Sequence, residues 1–162
     1  MAYVTTSKTK TIDAIDKRIL RIIQEDACLP VHEIAARVGL SQTPCWTRLQ
    51  QLKVSGVIKH QVALLDPVKL GLRTTVFVAV EVGGYSGDAL ARFVEDVMAM
   101  EEVMDFHRVA GDVDYLLRVV VPDAAAFDAF YKRLIELMPL KRVTSHFSLE
   151  NLKSKTAYPI KG

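Results

Sequence analysis

The spacing of apolar residues changes partway along this chain, and that change limits the folds it can adopt. Over Ile12–Cys28, isoleucine and leucine recur every three or four residues with charges between them, which is typical of an amphipathic helix. Over Arg73–Val82, valines instead alternate with other residues, which is the two-residue period of a strand. We therefore predict an α+β chain of two domains, 1–66 and 73–162, joined by a linker at 67–72.

Three short helices are predicted in the first domain. The first covers Ile12–Cys28, and Asp13 is suited to be its N-cap. The second covers Val31–Val38 and is followed by Gly39, a residue that commonly ends a helix in the left-handed conformation. The third runs over Ser41–Val54. Polar residues at its start supply the N-cap.

The second and third helices have the features of a helix-turn-helix. Ala35 is small where two helices must cross closely, and Gly39 tolerates a positive φ in the turn. The β-branched stretch at 57–65 then predicts a small hairpin, or wing. Together these elements predict a winged helix-turn-helix that places its third helix in the major groove of DNA.

The solvent side of the third helix carries neutral polar residues. The alternative interpretation is a helix face that is only solvated, and glutamate and lysine dominate such faces. No aspartate or glutamate occurs between Ser41 and Asp66, which argues against that alternative. Glutamine and threonine can hydrogen-bond base edges, and lysine and arginine can meet phosphates. The predicted DNA-binding residues are Gln42, Thr43, Thr47, Gln50 and Gln51 for bases and Arg48, Lys53 and Lys59 for phosphates.

Charge favours the same partner. The chain has a formal net charge of +2. Residues 1–66 hold nine lysines and arginines against six acids, which gives +3, and the remainder holds twelve against thirteen, which gives −1. The positive excess therefore lies in the domain expected to bind double-stranded promoter DNA.

The second domain is predicted to have the element order βαββαβ. Strands are expected over Arg73–Val82, Val103–Ala110, Tyr115–Val121 and 143–153, with helices beginning near Asp88 and Asp123. This order gives a ferredoxin-like sandwich with both helices on one face of an antiparallel sheet. Because no helix covers the other face, we expect a homodimer to form through it.

Several motifs, in order, resemble the Lrp/AsnC family of feast-or-famine transcription regulators. They are Asp13–Leu20, Glu33–Ser41, Arg48–Leu52, Gly56–Ile58, Leu65–Pro67 and Gly111–Tyr115. The resemblance implies that the second domain senses a small effector, usually an amino acid, and assembles dimers into octamers or similar rings. It also implies that the effector lies where dimers meet. The effector residues implied are Val109, Ala110, Gly111, Asp112, Asp114 and Ser145.

The effector turn has a simpler interpretation as well. A stretch such as Gly111–Asp114 also fits a plain hairpin turn whose aspartates cap it. As a site, its backbone N–H groups can hold a carboxylate and its aspartates an ammonium. Ala110 replaces the threonine usual in the family, which argues against a leucine-type response. The stretches Thr43–Trp46, Val62–Pro67 and Val143–Ser145 resemble the branch of cysteine-responsive regulators.

Other classes of protein fit the sequence less well. No nucleophile, base and orienting group occur at usable spacing, and the two cysteines lie far apart, so we predict neither an enzyme nor a metal or cofactor site. The apolar runs are too short for a bilayer, and we expect a cytoplasmic protein. Tyr115–Val121 lacks the aromatic pattern of an RNA-binding sheet. The remaining alternative is an effector-binding module that regulates a metabolic enzyme by protein contact.

Overall fold

The computed structural model describes residues 11–84 and 87–161. These form two compact units, one of residues 11–64 with 153–161 and one of residues 65–84 with 87–152. The sequence pattern predicted that all of 73–162 belongs to the second domain. The structure instead groups the last residues of the chain with the first unit.

The first unit contains the three predicted helices. They are α1 (Ala14–Ile23), α2 (Val31–Val38) and α3 (Gln42–Val54). Asp13 is the N-cap of α1 as predicted, and it forms a capping box with Asp16, in which each carboxylate accepts the backbone N–H of the other residue. The core between the helices consists of Ile19, Ile34, Ala35, Val38, Cys45, Leu49 and Leu52.

The turn between α2 and α3 depends on Gly39. Its φ of 72° is left-handed, and the N–H groups of Gly39 and Leu40 donate to the carbonyls of Ala36 and Ala35. Ala35 is 2% exposed, as a close helix crossing requires. The helix-turn-helix of the sequence analysis is therefore confirmed.

The prediction of a hairpin at 57–65 is wrong. Residues 57–73, all of which the structure describes, form no strand. Val62, Leu64 and Leu65 are each more than two-thirds exposed. The β-branched composition signalled a strand, but a strand needs a neighbour for its backbone groups, and no second segment of this unit pairs with it. The wing is thus an irregular connection.

Residues 153–161 return to the first unit, where their backbone groups form hydrogen bonds with two side chains at the C-terminal end of α1. The Gln24 side-chain amide donates to the Tyr158 carbonyl at 3.0 Å and accepts the Tyr158 N–H at 2.9 Å. Arg21 Nε donates to the Ile160 carbonyl at 3.0 Å. An amide that pairs with a peptide group in this way leaves no periodic signal, so the sequence pattern did not predict it.

The second unit has the predicted order of strands and helices. Its elements are β1 (Thr74–Val82), α4 (Gly87–Met98), β2 (Val103–Arg108), β3 (Tyr115–Val121), α5 (Ala124–Glu136) and β4 (Leu140–Phe147). The antiparallel sheet has the order β2-β3-β1-β4. The predicted last strand, 143–153, is placed too late. β4 ends where β1 no longer lies beside it, since Phe147 pairs with Val76 near the start of β1.

The sheet buries one face and exposes the other. Val76, Val78 and Val80 are fully buried against α4 and α5, in a core that includes Phe93 and Phe130. Residues between these valines point the opposite way. On that side, Phe77 is 48% exposed and Leu116 of β3 is 40% exposed. The open apolar face of the sheet is therefore the row that contains Phe77 and not the valine row.

None of the helices in residues 11–84 and 87–161 is long and apolar enough to cross a membrane.

Replacing Gly39 by alanine tests the helix-turn-helix geometry. A left-handed φ costs an L-residue about 1 kcal/mol or more relative to glycine, so Gly39→Ala should lower the free energy of unfolding by about 1 kcal/mol. Urea unfolding followed by circular dichroism measures the change. Gly84→Ala is the control, because Gly84 lacks a positive φ and an added Cβ meets nothing within 4 Å. Equal stability of the two variants would contradict the strained-turn explanation.

Candidate DNA-binding helix and effector loop

Helix α3 is held by one buried side and exposes the other. Cys45 and Leu52 are fully buried and Leu49 is 7% exposed, so these three residues form the side of the helix that faces the core. The predicted base-reading residues lie on the same helix. Gln42, Thr43, Thr47 and Gln51 are exposed and Gln50 is half-buried.

Thr47 has part of its hydrogen-bonding capacity in use. Its Oγ1 donates to the Thr43 carbonyl at 3.0 Å, one turn earlier in α3. The hydroxyl proton is therefore occupied within the helix, whereas the oxygen lone pairs and the methyl group remain exposed. In this rotamer Thr47 can accept a hydrogen bond from a base or contact a thymine methyl.

The three predicted phosphate-binding cations have different surroundings. Lys53 and Lys59 are exposed and form no ion pair with any residue that the structure describes. Arg48 is instead engaged inside the unit. Its Nη1 lies 2.6 Å from Asp13 Oδ2 and 2.9 Å from Asp16 Oδ1. The structure thus separates two available lysines from an arginine that already has carboxylate partners.

The Arg48 ion pairs lie at the N-terminus of α1. The side chain of Asp16 is 0% exposed and that of Arg48 is 28% exposed. The pKa of Asp13 is lowered because its carboxylate accepts the Asp16 backbone N–H and the Arg48 guanidinium. The hydrogen bonds that Arg48 donates to the carboxylates of Asp13 and Asp16 raise the pKa of Arg48. Since the folded-state pKa of Asp13 is lowered, its stabilising effect is present at neutral pH and is lost as the pH falls through that pKa.

Trp46 lies on α3 next to the buried face of the helix, but it is itself 53% exposed. Its neighbour Cys45 lies in the core, where burial raises the pKa of the thiol, whereas Cys28 is exposed. Among the described residues, no group of three or more histidines, cysteines or acids is placed to hold a metal ion.

The predicted effector loop joins β2 to β3 and is anchored by Asp114. The Asp114 N–H donates to the Val80 carbonyl at 2.9 Å, and its carboxylate accepts the Val82 N–H at 2.8 Å. The Val109 N–H donates to the Asp114 carbonyl. Asp114 is therefore half-buried and already committed to the end of β1, where the β1–β4 register shifts.

The remaining loop residues differ from Asp114 in exposure. Ala110, Gly111 and Asp112 are exposed and Val109 is half-buried. Gly111 has a φ of 153°, a conformation that few other residues adopt. The exposed Asp112 carboxylate is therefore better placed than that of Asp114 to meet a ligand ammonium.

Ser145 does not join this loop within one protomer. It pairs with Val78 of β1 and is half-buried on the helix-covered face of the sheet. Val82, which binds Asp114, lies four residues further along β1, or about 13 Å at the rise of a strand. The structure thus groups Val109, Ala110, Gly111, Asp112 and Asp114 and leaves Ser145 apart.

A shallow apolar groove runs beside the loop, between α4 and β2. It is lined by Leu90, Val94, Met98, Met104, Phe106 and Tyr115, among others. Arg108 and Tyr115, which flank the loop in sequence, both contribute to it. The sequence pattern does not show this groove, because its residues come from α4, β2 and β3, which meet only in the fold.

Comparison with known protein families accounts for both units. A model of the winged helix-turn-helix DNA-binding domain matches residues 12–59. A model of the Lrp/AsnC ligand binding domain matches residues 75–158. The second match contains the whole of the predicted effector loop.

Individual relatives agree with these matches along nearly the whole chain. The DNA-binding transcriptional activator DecR of Escherichia coli is 44% identical over 150 residues, which cover 92% of this chain and 99% of DecR. A crystal structure of an AsnC family transcriptional regulator from Agrobacterium tumefaciens has a TM-score of 0.88 at 52% identity, covering 91% of this chain and 96% of that one.

A second solved structure contains an amino acid. It is a transcriptional regulator from Neisseria meningitidis in complex with L-methionine, with a TM-score of 0.88 at 33% identity, covering 92% of this chain and 97% of that one. The named relatives are transcriptional regulators and not enzymes. This chain belongs to the Lrp/AsnC family of DNA-binding transcriptional regulators.

Proposed function

We propose that this protein reads promoter DNA through the exposed side of α3 and that an amino acid bound at the loop 109–114 modulates this activity. The observation that carries the proposal is the geometry of α3. Its buried side is fixed by Cys45 and Leu52, and its solvent side presents neutral hydrogen-bonding side chains without a single acid.

Two groups of side chains on this surface have separate tasks. Gln42, Thr43, Thr47 and Gln51 are exposed and contact base edges, with Gln50 at the margin. Lys53 and Lys59, exposed and without an ion pair among the described residues, contact phosphates. Sequence discrimination and salt-dependent affinity therefore depend on different residues.

Duplex titrations at several salt concentrations separate these tasks. Gln51→Ala should reduce the ratio of specific to non-specific affinity by about fivefold or more, because a good base contact is worth about 1–3 kcal/mol. Its slope of log K against log salt should not change. Lys53→Gln, the matched variant, should weaken binding to all duplexes and reduce the slope by about 0.9. Fluorescence anisotropy with a duplex from the gene's own upstream region, and with a scrambled duplex, measures both quantities.

Two results of these titrations would contradict the proposal. A wild-type plot of log K against log salt that is flat would exclude docking on phosphates. Equal loss of specific and non-specific affinity in Gln51→Ala would exclude base reading by that residue.

The open face of the sheet supports a homodimer. Phe77 and Leu116 are both 40% exposed or more, and they adjoin Ala79 and Val120, which are almost buried already. A second copy that packs on this face covers an apolar surface of its own kind. Two α3 helices per dimer fit a roughly palindromic operator with half-sites about one helical turn apart. Assembly of dimers into an octamer or a similar ring follows the family resemblance.

Changing Phe77 to glutamate tests this interface. A charge in a buried apolar contact lacks its hydration, so Phe77→Glu should convert dimers to monomers and raise the dissociation constant by about a hundredfold or more. Sedimentation velocity over a concentration series measures the change. Met98→Glu is the control, since Met98 is 72% exposed on α4, away from the open face. If Met98→Glu dissociates the dimer and Phe77→Glu does not, the interface lies on the α4 side and the proposed interface is wrong.

The effector proposal rests on the exposed end of the β2–β3 loop. The loop N–H groups and the conformation at Gly111 suit a carboxylate, and Asp112 supplies an exposed acceptor for an ammonium. The apolar groove beside it offers a surface for an aliphatic or thioether side chain. The family resemblance adds cysteine to the amino acids worth testing first. The methionine complex of the Neisseria relative adds methionine.

Calorimetry with a panel of the common amino acids, L-cysteine and L-methionine included, tests the effector site. Asp112→Ala should weaken the binding of the active amino acid about tenfold or more, because it removes a charge-assisted hydrogen bond, and should leave DNA affinity without effector unchanged. Asp96→Ala, which removes an exposed acid from α4, is the control and should bind normally. Absence of heat from every amino acid with the wild type would refute the sensor proposal.

A further inference from the structure

We infer that Arg48, although it lies on the DNA-reading helix, is a positioning residue that ties α3 to the N-terminus of α1 and does not bind a phosphate. The inference rests on the proposed function, since it concerns how the reading helix is aimed. Arg48 lies 35 positions from Asp13 and 32 positions from Asp16 in the chain, so its bonds to them are tertiary contacts.

Each oxygen of the two carboxylates at the start of α1 accepts a hydrogen bond, and Arg48 is the donor to two of them. Asp13 Oδ1 accepts the Asp16 N–H at 2.7 Å and Asp16 Oδ2 accepts the Asp13 N–H at 3.4 Å. The other two oxygens, Asp13 Oδ2 and Asp16 Oδ1, both accept Arg48 Nη1. The capping box and the ion pair thus form one network in which all four oxygens have a donor.

Burial makes this network costly to open. The Asp16 side chain is 0% exposed, and an ionised carboxylate without its counter-charge is strongly disfavoured there. If Arg48 turned outward to a phosphate, it would leave that buried charge with one donor fewer. The exposed Lys53 and Lys59 can reach a phosphate without such a loss. Contact with a phosphate therefore costs less free energy for Lys53 and Lys59 than for Arg48.

The position of Arg48 on α3 explains what the link controls. Leu49 and Cys45 hold the helix against the core but are apolar, and apolar packing is non-directional. The guanidinium bonds, in contrast, have defined directions and lengths. They fix the rotation of α3 relative to α1. Gln51 and Thr47 lie within one turn of Arg48, so a change in that rotation displaces them directly.

Two variants give opposite results under the positioning role and the phosphate role. Under the positioning role, Asp13→Asn and Arg48→Met both lower the ratio of specific to non-specific affinity, by about tenfold for Arg48→Met, and both keep the wild-type salt slope. Under the phosphate role, Arg48→Met reduces the slope by about 0.9 and keeps the ratio, while Asp13→Asn frees the arginine and strengthens binding to every duplex.

Matched controls remove the effect of net charge. Glu25→Gln changes the charge of the unit as Asp13→Asn does, and Arg18→Met changes it as Arg48→Met does. Both controls alter exposed residues of the same unit. If Glu25→Gln lowers the specificity ratio as much as Asp13→Asn, the effect is one of charge and the inference is overturned. Asparagine keeps an oxygen to cap α1, so Asp13→Asn provides the answer if Arg48→Met does not fold.

The free protein supplies an independent readout. Trp46 is the single tryptophan of the chain, and it lies on α3 with half its surface exposed. A rotated α3 should shift its emission maximum in Arg48→Met and Asp13→Asn without DNA present, and Arg48→Lys should partly restore it. Wild-type emission in all three variants would overturn the positioning role. If the wild-type plot of log K against log salt is flat, the proposed function fails, while the Trp46 spectra still decide the role of Arg48.

Discussion

The buried carboxylate of Asp16 is the constraint on which the geometry of the DNA-binding unit depends. A charge with no solvent must have donors on its oxygens, and here they come from its own helix start and from α3. One residue thereby joins the beginning of α1 to the middle of the reading helix. The apolar core packs the three helices together, and the charged network defines the angle at which α3 is presented.

In the second unit, the geometry depends on a sheet that helices cover on one side only. Strict alternation in β1 sends Val76, Val78 and Val80 into the core and Phe77 to the other face. Burial of the valines against α4 and α5 stabilises the protomer, and it leaves the opposite row, which includes the apolar Phe77, uncovered. The same alternation that folds the unit therefore creates the surface through which copies of the chain can associate.

Sequence patterns predicted the features that depend on neighbouring residues. The N-cap at Asp13, the left-handed Gly39 and the alternation of β1 are local, and the structure confirms all three. Individual contacts between side chains distant in the chain were not predicted. Arg48 was expected to meet phosphates, since a sequence pattern does not show that its acidic partners, more than thirty residues away, lie beside it in the fold. The attachment of 153–161 to the first unit depends on hydrogen bonds with two side chains, those of Arg21 and Gln24. The predicted wing hairpin failed for the same reason, since β composition does not supply a pairing strand.

The base reading that we propose for the exposed side of α3 requires a rigidly held helix. Glutamine and threonine recognise bases through short, neutral hydrogen bonds, which weaken steeply when distance or angle departs from the optimum. A face built from lysines would tolerate error, because a flexible point charge attracts a phosphate from many directions. A helix that discriminates by neutral groups must be held to within a fraction of an ångström. The arrangement of cations agrees with this requirement. Arg48, whose planar guanidinium is the more rigid group, is used inside the fold, while the flexible lysines remain at the surface.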